Sequence, residues 1–162
     1  MLVHVRLITH PHPRRVLVVG GGDGGTLREL LRHDSVSRAD LCEIDGEVIE
    51  ASRRFLPQLS RGFDDPRVSV HVADATLFVR ENPGAWDVIL VDSSDPIGPA
   101  VGIFGESFYR DLRRALRPGG IAVIQAESCF VFEDLVRRIT ATLAGLFPVL
   151  AYYQALVPTY TS

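Results

Sequence analysis

Five carboxylates stand at positions where they could do chemistry: Asp23, Glu43, Asp74, Asp92 and Asp95. Asp23 lies inside GGGDGG, residues 20–25, between the apolar run VLVV and the stretch TLRELLRH. Gly20, Gly22 and Gly25 fit the G-x-G-x-x-G spacing, which lets backbone approach a ligand where a strand turns into a helix. A loop made to cradle a pyrophosphate should not turn a carboxylate toward it, because like charges in a partly dry site repel. The loop therefore suits a nucleoside-like ligand that is cationic near the glycines. The plainer reading is a tight turn with a solvated Asp23. Glu43 follows the glycines by about 20 residues, the distance at which an acidic side chain meets ribose hydroxyls in dinucleotide-type folds. Asp45 serves equally well as the N-cap of the next helix. Asp74 follows a third strand, where it can accept from the exocyclic amine of a base or cap a helix.

The second informative stretch is Asp92-Ser93-Ser94-Asp95-Pro96-Ile97-Gly98-Pro99-Ala100. Two carboxylates three residues apart leave an apolar strand and enter a Pro/Gly-rich loop. A loop of that length and composition reads as an active-site loop rather than a connector. A capped turn would not need both acids and both prolines.

The elements that must position these acids alternate. Strands are expected at Val16–Gly20, Ala39–Ile44, Val68–Val72, Trp86–Val91, Ile121–Gln125 and Val149–Val157. Helices are expected from about Gly24 to His33, then at Glu47–Phe55, Thr76–Glu81, Phe104–Leu116 and Val131–Leu146. Arg117-Pro118-Gly119-Gly120 stops the fourth of these. Met1–Ile8 reads as the last turns of a helix, followed by a Pro-broken connector. The alternation predicts an α/β fold, a Rossmann-like, doubly wound, mostly parallel sheet with helices on both faces. Ligands of such sheets bind beyond the carboxyl ends of the strands. All five acids fall there, with no lysine to pair them, and so predict an anionic cleft for cationic ligands. A sulfonium nucleoside together with an amine fits that cleft; a phosphate does not.

The 162 residues suit one domain, and the net charge of −3 gives no support to a nucleic-acid partner. No stretch has the roughly 20 apolar residues of a membrane span, and residues 1–13 lack the features of a signal peptide. Cys42 and Cys129 form no CxxC pair and read as small core residues, which suits a reducing cytoplasm. His4, His10 and His12 have no Cys or acidic partner at ligand spacing, so no metal site is expected.

Together, VLVVGGGDGGTLREL, CEID, FDDPRV, VDSSDPIGPA, IFGESFY, QAES and VPTY resemble the aminopropyltransferases, spermidine synthases above all, over nearly the whole chain. The resemblance implies the sheet type shared with S-adenosylmethionine-dependent methyltransferases. It implies decarboxylated S-adenosylmethionine as co-substrate, with no separate cofactor, and putrescine as acceptor, giving spermidine and methylthioadenosine. Gly20, Gly22 and Gly25 would then face the donor, with Asp23 on its aminopropyl ammonium. Glu43 would hold the ribose, Asp74 and Ala75 the adenine, and Pro99 would line the nucleoside pocket. Asp92 would be the catalytic acceptor at the attacking amine. Ser93, Ser94 and Asp95 would complete the amine pocket, Asp95 on the far ammonium with help from Tyr160. Gln125 and Glu127 would lie near the same amine.

By the same resemblance, residues 1–13 would connect to an N-terminal β-rich domain, and a final strand would follow Ser162. Neither is in this chain, so a homodimer would be weakened and turnover reduced. Two other readings stand beside this one. The first is a non-catalytic domain that binds nucleoside or polyamine. The second is a small-molecule methyltransferase, disfavoured because Val19 stands where such proteins carry an acid and because Asp23 would repel the carboxylate of intact S-adenosylmethionine.

Overall fold

A computed structural model of the chain describes residues 2–93, 102–103, 105–125 and 133–153. Its centre is a strand of four consecutive buried residues, Val16–Val19, in β1 (Arg15–Gly20). Such a run is buried on both faces, as a central parallel strand must be. On one side β1 pairs with β2 (Arg38–Glu43), which pairs with β3 (Val68–Val72); on the other it pairs with β4 (Trp86–Asp92), which pairs with β5 (Leu116–Ile124). Every pairing is parallel and the order is β3-β2-β1-β4-β5. The carboxyl ends of all five strands therefore share one edge.

Side-chain alternation sorts the core into two layers. Val16 and Val18 point to a layer completed by Val3, by Leu7 from α1 (His4–Thr9), by Leu27 and Leu30 from α2 (Gly25–Leu30), by Ile49 from α3 (Gly46–Phe55) and by Phe63. Leu17 and Val19 point to the other. There they meet Val79 from α5 (Ala75–Glu81), Phe108 and Leu112 from α6 (Glu106–Ala115), and Ile139 and Leu143 from α7 (Glu133–Leu146). Between α3 and β3 lie a single helical turn, α4 (Pro57–Ser60), and a 3-10 turn at Arg61–Asp64. The sheet is thus covered on both faces, as the strand–helix alternation predicts.

Several boundaries differ from the sequence expectation. The first helix ends at Leu30 rather than His33, and α6 runs from Glu106 to Ala115. β5 begins at Leu116 and takes in the Pro-Gly-Gly segment. Trp86 pairs with Leu116 and Val88 already pairs with Ile121, so residues 117–120 bulge opposite Asp87. Pro and Gly are accommodated in a strand at such a bulge. Of the sixth expected strand, residues 149–153 are not in a strand and the remainder lies outside the described residues.

Two buried acids fix the sheet. Asp87 Oδ2 accepts from the backbone N–H of Arg14 (3.0 Å) and Arg15 (2.7 Å), and Arg117 donates to its Oδ1 at 3.2 Å. Asp40, 3% exposed, accepts from Trp86 Nε1 at 3.0 Å and pairs with His71 Nε2 at 3.1 Å. His4 joins α1 to α2: its Nδ1 lies 2.8 Å from His33 Nε2, and its Nε2 lies 3.2 Å from Glu29. Among the described residues no helix is long and apolar enough to cross a membrane.

Candidate active site

The turn after β1 gives the site its floor. Gly20 has φ +77, and a Cβ there would strike the carbonyl oxygen of Asp92; only glycine lets β1 and β4 end side by side. Gly21 N–H then donates to that same Asp92 carbonyl at 2.9 Å. Gly24, with φ +82, backs onto α4, where a Cβ would lie 2.9 Å from Leu59 O and Ser60 Cα. The glycines thus seat the loop between β4 and α4 while α2 starts.

The acids follow the strand order. Asp23 is exposed, and its Oδ1 accepts from Gly25 N–H at 2.8 Å, so it also shapes the turn. Glu43 closes β2; its Oε2 accepts from Gly22 N–H at 3.1 Å and its Oε1 from Asp45 N–H at 3.1 Å. Each of its oxygens keeps a second lone pair for a hydroxyl donor. Asp45 caps α3 by accepting from Glu47 N–H at 2.8 Å. Asp74 caps α5, accepting from Thr76 N–H and Oγ1, both at 2.7 Å. Those bonds, the Thr76 hydroxyl first, hold its carboxyl below the usual range. The capping role expected of Asp45 and Asp74 is therefore real, and for Asp74 it coexists with a position at the site edge. Ala75 is the first residue of α5.

Asp92 ends β4 between β1 and β5 and is partly buried. Its Oδ2 accepts from Thr26 Oγ1 at 2.6 Å, whereas Oδ1 has no partner among the described residues. Burial pushes its pKa above the ordinary value; the Thr26 hydroxyl works against that, and the charge of Asp23 adds to it. Ser93 follows directly, and Gln125, exposed, donates its N–H to Val91 O at 3.2 Å beside β4. The structure so brings Gly20, Gly22, Asp23, Gly25, Glu43, Asp74, Ala75, Asp92, Ser93 and Gln125 to one edge. Ser94, Asp95, Pro99, Glu127 and Tyr160 lie outside the described residues.

Sequence reasoning missed Thr26, which reads in the sequence as an ordinary first-turn residue. It also missed an apolar border. Ile44, Val48, Val72 and Leu77 are all exposed, and Val48 and Val72 stand against Gly22 and Gly46 respectively. Apolar residues set close to the acids, as in Glu43-Ile44 and Val72-Ala73-Asp74, are the available signal, since an apolar surface next to hydroxyl acceptors suits a nucleoside. Cys42 is buried, and burial, followed by the charges of Glu43 and Asp74, pushes its thiol up to about 12, so it remains a neutral packing group. Among the described residues no group of three or more His, Cys, Asp or Glu is disposed to hold a metal ion.

A parallel, doubly wound sheet with an acid-rimmed glycine turn at its carboxyl edge is the Rossmann-like architecture of the S-adenosylmethionine-dependent methyltransferase type. In keeping with that class, human methyltransferase-like protein 13, solved in complex with SAH, superposes with a TM-score of 0.71 at 26% identity, over 93% of this chain and 70% of that one. Within the class the likeness is closer to one family. A spermidine synthase solved in complex with the transition state analogue AdoDATO superposes with a TM-score of 0.89 at 44% identity, over 92% of this chain and 51% of that one. The polyamine aminopropyltransferase of Desulforudis audaxviator is 51% identical over 160 residues, 99% of this chain and 58% of that protein. The family described as "Spermine/spermidine synthase domain" matches residues 1–162, and the chain belongs to it. The chain spans little more than half the length of such relatives.

Proposed function

We propose that the protein transfers an aminopropyl group from decarboxylated S-adenosylmethionine to putrescine, giving spermidine and methylthioadenosine. The observation that carries this reading is the acidic edge: Asp23, Glu43, Asp74 and Asp92 end or follow four adjacent strands, and among the described residues no cation is a side-chain partner of Asp23, Glu43 or Asp92. Such an edge attracts a sulfonium and an ammonium and repels phosphate.

In the proposed complex, Glu43 accepts from the ribose hydroxyls, and Asp74 with Ala75 borders the adenine against Val72 and Leu77. Asp23 holds the donor's ammonium. The amine lone pair attacks the carbon bonded to the sulfonium sulfur. A C–N bond forms, the C–S bond breaks with its electron pair going to sulfur, and a neutral thioether leaves. The new secondary ammonium gives up one proton toward Asp92 Oδ1, directly or through a water. No oxyanion develops, so alignment and a free amine lone pair supply the rate. The burial that raises the Asp92 pKa improves it as proton acceptor over a solvated carboxylate. Asp95 and Tyr160 hold the far end of the diamine, and the reaction runs in a cytoplasm that keeps Cys42 reduced.

Calorimetric titration with decarboxylated S-adenosylmethionine, followed by putrescine in the same cell, tests this reading. Donor binding followed by formation of methylthioadenosine supports it. Donor binding without product supports the binding-domain alternative for this chain. No binding by the folded chain overturns both.

A further inference from the structure

Asp92 receives its only side-chain hydrogen bond among the described residues from Thr26, at 2.6 Å. Thr26 belongs to α2, three residues beyond Asp23, and so is carried by the glycine turn rather than by β4. The bond spans 66 positions of sequence and joins the two halves of the site. It also occupies one particular oxygen. With Oδ2 taken, the lone pairs of Oδ1 are the ones left to face the cleft.

We propose that Thr26 is a positioning residue for the aminopropyl transfer, and that its hydroxyl sets both the orientation and the proton affinity of the Asp92 carboxylate. This rests on the reading of Asp92 as the acceptor at the attacking amine. A hydroxyl donor stabilises the carboxylate over the carboxylic acid. Without it, the carboxylate at the end of β4 has burial and the charge of Asp23 acting on it, and both favour protonation. Asp23 is the charged group that acts on Asp92 among the described residues. A protonated Asp92 cannot take the proton that the new secondary ammonium gives up, and an unanchored one can turn either oxygen to the cleft. The hydroxyl thus favours the ionised form of Asp92 in a place where burial raises its proton affinity. Because Thr26 rides on the glycine turn, a change in the turn on donor binding reaches the Asp92 carboxylate through this bond, alongside the backbone bond from Gly21 N–H to Asp92 O.

Three variants separate the role from a packing role. Thr26→Val keeps the shape and removes the donor; Thr26→Ser keeps the donor and removes the methyl; Asp92→Asn identifies the Asp92 carboxyl resonance. The first readout is the titration of that resonance by carbon NMR in the full chain, which needs no turnover. Thr26→Val is expected to raise the Asp92 proton-binding constant about tenfold or more, as loss of a hydrogen bond to a charged group implies. Thr26→Ser is expected to restore the parent titration. An unchanged Asp92 titration in folded Thr26→Val overturns the proposal. So does a titration that Thr26→Ser fails to restore, because the methyl and not the hydroxyl is then at work. The second readout is the pH profile of methylthioadenosine formation. Its acid limb is expected to move to higher pH in Thr26→Val, with the donor affinity unchanged. If the titration moves and the parent chain forms no product, the link from Thr26 to Asp92 stands and the proposed function fails for this chain.

Discussion

Replacing Asp40 by alanine tests how the site is held in place. Asp40 sits on β2, and its carboxylate joins Trp86 on β4 and His71 on β3. Those three strands are the ones that end in or lead to Glu43, Asp74 and Asp92. Burial alone would raise the Asp40 pKa, but the Trp86 and His71 bonds and the Arg38 charge outweigh it, so the carboxyl lies below its ordinary value. Removing it leaves the Trp86 N–H, on a side chain only 2% exposed, without its acceptor. A buried donor left unpaired costs about 1–3 kcal/mol. A loss of about 2 kcal/mol lowers Tm by roughly 4–8 °C in a domain of this size. Thermal melts and urea titrations of the parent and Asp40→Ala at neutral pH measure it. The pH dependence has a definite sign. A carboxylate whose folded pKa is depressed stabilises the fold above its unfolded value of 3.8 and ceases to do so as pH falls through the lower, folded value. The gap between parent and variant should therefore be full at neutral pH and narrow below pH 3.8, toward the pH-independent cost of the unpaired Trp86 N–H. A Tm drop of less than about 2 °C at neutral pH, or a gap that does not depend on pH, would refute the argument.

Other outcomes follow from the same geometry. Asp92 has its pKa raised above 3.8, so the fold binds a proton more tightly than the unfolded chain and loses stability as pH rises through that window; Asp92→Asn should remove this slope and raise Tm at neutral pH while keeping donor binding and losing transfer. Product formation by Asp92→Asn at the parent rate would count against its role. Asp23→Asn should narrow the preference for decarboxylated over intact S-adenosylmethionine by about one order of magnitude, the scale of one charge pair in a partly solvated cleft; equal competition ratios in parent and variant would remove Asp23 from the donor's ammonium. Gly20→Ala should destabilise the chain by at least 1–2 kcal/mol, roughly the cost of left-handed backbone for a residue with a Cβ, with the clash against Asp92 O added; an unchanged urea midpoint would show that the turn relaxes freely.

Much of this was legible from residue types because the signals were local. VLVV followed by glycines marks a buried strand and a close turn, and both lie where the pattern puts them. Successive strands that end in acids place those acids on one edge as soon as the strands are parallel, and they are. What was not legible depended on partners far apart in sequence. Thr26 and Asp92 are 66 residues apart, and nothing in either neighbourhood names the other. Asp40 and Asp87 interrupt apolar runs, a visible oddity, but only the packed sheet shows Trp86 N–H and two backbone N–H groups converging on them. The start of β5 was hidden for the opposite reason. Arg-Pro-Gly-Gly is strong turn chemistry, and the tertiary pairing with β4 absorbs it as a bulge within a strand.

Under the proposed transfer, the strand order accounts for the assignment of proton transfer to Asp92 rather than to another of the acids. Among the described residues β3 ends beside a single neighbour, and Asp74 caps a helix at that border, in solvent, with its pKa held down. Glu43 ends β2, but two backbone N–H groups engage it. β4 is flanked on both sides and its six residues Trp86–Val91 are all buried, so the carboxylate at its end is only partly exposed to solvent. There it meets one hydroxyl and a like charge. A carboxylate with many donors becomes a good ligand and a poor base; one with few donors and little water does the reverse. Under the proposed function, strand order and hydrogen-bond partners together would divide the acids into holders of the nucleoside and an acceptor for the proton.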